Sequence, residues 1–234
     1  MTGSPRRLAA GMAALRVPVT GLLLMTLLAL PTGADGQIVL GVQGGLGSFK
    51  VKGDAPARFG YSGAWGGNAG LVLQWTVAED VALSIQPSWT RKGTGVTVEV
   101  KGVQEPVDSM KLKLTYLSLP VLVKVATRSG RGFVTAGVDV GYLEAASLTV
   151  GDAPGIDVEA NLETTDVSAL FGVGGTIRGG SPTITFEARY NQSIFRVLPP
   201  SALGQVTSAL PEGFRSSGFQ LILGALFPLG GGDR

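Results

Sequence analysis

Thr183-Ile184-Thr185-Phe186-Glu187-Ala188-Arg189-Tyr190-Asn191 alternates without a break. Ile184, Phe186, Ala188 and Tyr190 fall on one face of an extended chain, and Thr183, Thr185, Glu187, Arg189 and Asn191 fall on the other. The same period of two runs through Val81, Leu83, Ile85, Pro87 and Trp89 against Ser84, Gln86, Ser88 and Thr90. It recurs in Val134, Ala136, Val138, Val140 and Tyr142 against Thr135, Gly137, Asp139 and Gly141. Further strands are expected at 38–49, 64–75, 112–126, 167–177 and 218–227, giving eight in all, each near the ~10 residues a tilted strand needs to cross a bilayer.

Composition agrees with an unusual solvent. Only 15% of the 234 residues are charged, while glycine numbers 36; an ordinary soluble domain carries about 25% charge and about 7% glycine. With 19 Lys+Arg against 17 Asp+Glu, a strongly basic nucleic-acid binder is excluded. The chain has neither Cys nor His, which removes disulfides, thiolate or imidazole metal sites, and Ser–His or Cys–His catalysis. No catalytic residue, metal or cofactor is assigned.

Residues 1–36 read as a secretory signal: Arg6, Arg7 and Arg16, then the apolar run from Val17 to Leu30, then small residues offering cleavage after Ala34 or Gly36. Removing them takes Arg6, Arg7, Arg16 and Asp35 and leaves a formally neutral chain of one domain, 37–234. The expected links alternate. Tight turns at 76–80, 127–132 and 178–182 contrast with long links at 50–63, 92–111, 144–166 and 195–217. An eight-stranded antiparallel up-and-down transmembrane β-barrel has this pattern, with short periplasmic turns, four long extracellular loops and both mature ends in the periplasm.

Three stretches carry a resemblance: Ser88-Trp89-Thr90-Arg91-Lys92-Gly93, Tyr116-Leu117-Ser118-Leu119-Pro120, and Phe186-Glu187-Ala188-Arg189-Tyr190-Asn191, with the Gly-rich 133–142 between the last two. Together they resemble the PorT-like outer-membrane β-barrel family over roughly residues 38–227. That resemblance implies a bacterial outer-membrane barrel, not an activity. The tail Pro228 to Arg234, beyond the aromatic Phe227, departs from the usual terminal aromatic that the barrel assembly machinery reads.

On a barrel, the apolar faces meet lipid and the polar faces meet the lumen. Trp75, Trp89, Tyr142, Tyr190 and Phe227 belong to the interfacial girdles. Eight strands leave an interior only wide enough for side chains, so Lys124, Asp139, Glu187 and Arg189 are expected to pair there; a conduit or small-ligand pocket is the alternative. Arg91 and Lys92 at the rim, with Lys101, Lys111 and Lys113 in the second long loop, are the candidates for contact with lipopolysaccharide phosphates. Asp152, Asp157, Glu159, Glu163 and Asp166 match no calcium-loop spacing and read as a solvated acidic loop.

Three functions follow: a non-enzymatic envelope barrel acting in structure, adhesion or recognition through its loops; a PorT-type part of a secretion system with protein partners; or a soluble lipocalin-like barrel, with every apolar face turned inward around a ligand.

Overall fold

The computed structural model describes residues 37–52, 59–98, 107–151, 154–157, 164–194 and 215–229. The predicted leader, 1–36, lies outside them, as do Lys101 and the acidic residues Asp152, Glu159 and Glu163.

Ten strands form one antiparallel sheet: β1 (Ile38–Lys52), β2 (Phe59–Ala78), β3 (Val81–Ile85), β4 (Ser88–Val98), β5 (Val107–Ala126), β6 (Gly132–Val150), β7 (Ile156–Asp157), β8 (Thr165–Ile177), β9 (Thr183–Ser193) and β10 (Arg215–Leu229). They make eight staves. β3 and β4 share one stave, interrupted at Gln86-Pro87, where proline can donate no rung. Ladders to β2 and β5 hold both halves of that stave, and two bonds bridge the interruption: the Leu71 amide donates to the Pro87 carbonyl and the Gln86 amide to the Pro120 carbonyl, both at 2.9 Å. β7 is a two-residue addition on β6. The ring closes because β1 pairs along its whole length with β10, from Ile38 opposite Leu229 to Lys52 opposite Arg215.

Glu79-Asp80, 127–131 and 178–182 turn the chain at one rim, and Gln37 and Leu229 lie at that same end. Gly130 adopts φ 63° and Gly180 φ 125°, backbone that non-glycine residues rarely reach. At the other, long-loop rim the strands run further than their alternation suggested. β2 and β5 have 20 residues each, roughly 66 Å along the strand at about 3.3 Å per residue and twice what a crossing requires. Lys111 and Lys113 are therefore strand residues, not loop residues. The reason is local: Lys111-Leu112-Lys113-Leu114 keeps the period of two, with both leucines buried and both lysines exposed.

The faces divide as a membrane barrel requires. Leu71, Val123, Val138, Val140, Phe171, Val173, Ile184, Phe186, Leu221 and Leu223 are all exposed on the outer wall, while Gln43, Asn68, Ser84, Gln86, Ser88, Thr135 and Asn191 are buried inside. The soluble lipocalin-like alternative needs the reverse and fails on this orientation. On β5 the outward run Val125, Val123, Val121, Leu119, Leu117 gives way to Thr115, Lys113 and Lys111, so the apolar belt ends at Leu117 on that stave. Trp65, Trp89, Tyr142 and Phe219 mark the belt's edge toward the long loops; the Phe219 ring lies 4.8 Å from that of Tyr190.

Glycine sets the closeness of the staves at Gly137. A Cβ there would strike the Val121 carbonyl and stand 2.8 Å from the Leu122 Cα, backbone on both counts. Gly137→Ala is expected to destabilise the barrel by about 1–3 kcal/mol through overpacking, read as a lower urea midpoint in vesicles.

Candidate functional site

The lumen is the natural place to look for chemistry, and it is filled. Arg189 on β9 is the largest fully buried side chain. Its Nε donates to Glu187 Oε1 at 2.8 Å, and its Nη2 donates both to Glu187 Oε2 and to Gln86 Oε1 at 2.9 Å. Alternation puts Glu187 and Arg189 two residues apart on the same face, so the bidentate pair forms within one strand. Thr135 on β6 donates its hydroxyl to Glu187 Oε1 at 2.7 Å, and Gln43 on β1 donates its amide to Gln86 Oε1 at 3.2 Å. This network joins four staves across the barrel.

A second network lies nearer the long-loop rim. Lys92 Nζ on β4 donates to Asp166 Oδ2 on β8 at 2.7 Å, with both side chains 2% exposed. Ser193 on β9 donates to Asp166 Oδ1 at 2.6 Å. The Tyr116 ring lies 5.0 Å from the Lys92 ammonium. Around it, Leu112, Leu114, Tyr116, Leu143, Ala146 and Leu148 form an inward apolar cluster that the polar-lumen reading had not included. Below the first network the described side chains leave a void of about 20 Å³, room for little more than one water-sized molecule.

These positions sort the residues singled out from sequence. Glu187 and Arg189 pair with each other. Lys124 does not join them; its ammonium has no carboxylate within 4 Å among the described residues, and instead donates to Gln74 Oε1 at 3.4 Å and lies 4.0 Å from the centre of the Phe133 ring. Asp139 is buried beside the Ser118 hydroxyl and forms no ion pair among the described residues, and Asn68 Oδ1 and Asn191 Oδ1 have no hydrogen-bond partner among them. Lys92 must be corrected: it faces the lumen, not the lipopolysaccharide. The signal was present, since neighbouring strand residues point opposite ways and Trp89 and Arg91 share the outer face. Asp166 belongs to no solvated loop either; it follows Thr165 at the start of β8 and is 3% exposed.

Arg91, Lys111 and Lys113 remain outside and exposed. They line a depression of about 840 Å³ on the outer wall beyond the belt, floored by small residues such as Gly93, Gly95 and Ala145 and walled by Trp65. Arg91 stacks on Trp89 at 4.4 Å, and the Trp89 indole donates to Glu144 Oε2 at 3.0 Å. None of the three cations has a carboxylate within 4 Å among the described residues.

An apolar outer wall, a polar interior and closure of β1 on β10 describe a barrel built to sit in a membrane, and residues 34–198 match the outer membrane protein beta-barrel domain. The chain belongs to that family. Its place is accordingly the bacterial outer membrane. Solved structures of similar form include the attachment invasion locus protein Ail of Yersinia pestis, in complex with the heparin analogue sucrose octasulfate (13% identity, TM-score 0.44, 82% of this chain and 99% of that one). Neisserial surface protein A is similar at 14% identity and TM-score 0.46, over 80% and 97% of the two chains. OprG from Pseudomonas aeruginosa is similar at 12% identity and TM-score 0.39, over 82% and 95%. No curated protein matches the chain. Within this outer-membrane barrel, the stretches that carried the PorT-like resemblance turn alternate residues into the lumen: Lys92 and Tyr116 belong to the second network, Glu187 and Arg189 to the first.

Proposed function

We propose that this outer-membrane barrel is a non-enzymatic, PorT-like member of its family that works through its outer wall and long-loop face. Its leader is removed on export, and its short turns and both mature ends lie in the periplasm. The observation that carries the reading is the depression holding Arg91, Lys111 and Lys113 just beyond the apolar belt. Three cations with no carboxylate within 4 Å among the described residues, at the height where hydrocarbon gives way to headgroups, suit the phosphates of an anionic glycolipid, lipopolysaccharide in this leaflet. Trp65 and Trp89 beside them have the amphipathic rings of an interfacial girdle. The filled lumen supports the same reading from the other side, because its charged groups are largely engaged with one another. The absence of His and Cys from the sequence supports a non-enzymatic role.

A basic residue near an anionic surface contributes about 1 kcal/mol. The triple variant Arg91→Ser, Lys111→Ser, Lys113→Ser is expected to lose roughly a hundredfold in affinity for lipopolysaccharide in nanodiscs, while its unboiled band on a gel still shifts as the parent's does. Retention of the parent's affinity by a properly folded triple variant would remove this reading.

A further inference from the structure

Between the short turns, the lumen opens into a vestibule of about 300 Å³, a volume at the lower end of small-molecule sites, about 300–1,000 Å³. Four charged side chains line it: Lys124, half-buried at its inner end, Arg178 on the wall, and Glu79 and Asp80 exposed at the turn between β2 and β3. Among the described residues none of the four forms an ion pair. This contrasts with the two networks above, where Lys92 pairs with Asp166 and Arg189 with Glu187. Thr176 and Thr185 add hydroxyls, and Gln74 orients the Lys124 ammonium from the side.

Two cations and two carboxylates around one cavity, none ion-paired among the described residues, form a pattern that a molecule with both charges would complete. We propose that the vestibule binds a small zwitterion, its carboxylate toward Lys124 and Arg178 and its ammonium toward Glu79 and Asp80. An amino acid or the end of a short peptide has this chemistry, and the cavity has room for one. The source, free in the periplasm or attached to the cell wall, follows from the orientation proposed above, on which that part of the inference rests.

The test uses the full chain in detergent, titrated with alanyl-alanine while the backbone amides of Ala126, Gly132 and Thr176 are followed by NMR. Saturable shifts are expected, with acetate alone or ethylammonium alone binding about tenfold more weakly because each satisfies only one half of the site. Arg178→Gln and the pair Glu79→Gln, Asp80→Asn are exposed changes that leave the barrel folded, and each is expected to weaken the dipeptide about tenfold. Lys124→Met, which keeps the side chain's bulk over Phe133, is expected to abolish saturation. Shifts that never saturate, or that are the same in all variants, overturn the site. Sedimentation of the protein with isolated cell-wall sacculi, competed by the dipeptide, would mark a wall-attached ligand; dipeptide binding without sedimentation would mark a free one.

Orientation is tested separately. The chain has no native Cys, so Ser129→Cys places a single thiol in the turn between β5 and β6. A membrane-impermeant maleimide should reach it only after permeabilisation. Labelling on intact cells would overturn the periplasmic assignment, while the titration would still decide whether the zwitterion site exists.

Discussion

Arg189→Leu should lower the stability of the barrel by about 3–5 kcal/mol, the usual loss when one partner of a buried ion pair is removed. The leucine fills part of the volume, but it leaves Glu187 without its ion-pair partner, and among the described residues the Thr135 hydroxyl at 2.7 Å is the hydrogen-bond donor it keeps. Gln86 Oε1 would keep only the 3.2 Å bond from Gln43. The loss is then electrostatic more than steric, and the second change tests this. Arg189→Leu combined with Glu187→Leu removes both charges, and such replacements of whole buried pairs are often neutral or stabilising. The double variant is expected to recover most of the single variant's deficit. Equilibrium urea unfolding in lipid vesicles, with the unboiled gel shift as a check on closure, measures all three proteins. If the double variant is as unstable as the single, the pair is held for its packing and the charge argument fails.

How much of this could be read in advance depends on which physical signal each residue leaves in the sequence. Glu187 and Arg189 sit in an unbroken alternation, so their common inward face was legible from period alone. Their pairing with each other, rather than with Lys124 and Asp139, was not: it depends on the stagger between staves, and nothing in one strand's sequence reports that. Lys92 and Asp166 were missed for different reasons. Lys92 reads as a rim residue because it adjoins Arg91, although alternation from Trp89 sends the two opposite ways. Asp166 follows an acidic stretch and has no apolar alternation on its N-terminal side, so the start of β8 carried no local mark. The over-long strands reflect the same limit. Lys111 and Lys113 alternate with leucines, yet Val107 to Lys113 mixes charge with apolar residues, and a stave rising above the membrane meets water on its outer face and protein on its inner one. Alternation there signals an ordinary half-buried strand, not a lipid-facing one.

Val138→Arg carries the other large expected effect, because it tests which solvent the outer wall meets. Val138 stands mid-way along the outward run Val134, Ala136, Val138, Val140, Tyr142, and its register neighbours on the wall are Val121 and Ala169. It is 45% exposed, and every side chain around it is apolar. In water, an arginine at so open a position would cost little, since surface substitutions usually change stability by less than about 0.5 kcal/mol. At the middle of a hydrocarbon layer the same substitution costs about 2–4 kcal/mol, falling to about 0–1 near the interface. Ser147→Arg, on the same strand but opposite Lys113 and beyond the belt, is therefore the matched control. Reversible unfolding from vesicles should show the full cost for Val138→Arg and almost none for Ser147→Arg. The difference must also shrink as Val138→Arg is moved along the strand toward Tyr142, because depth below the headgroups sets the desolvation of the guanidinium and sequence position by itself does not. Equal small costs at both sites would mean that water, not lipid, meets the Leu-, Val- and Phe-rich wall.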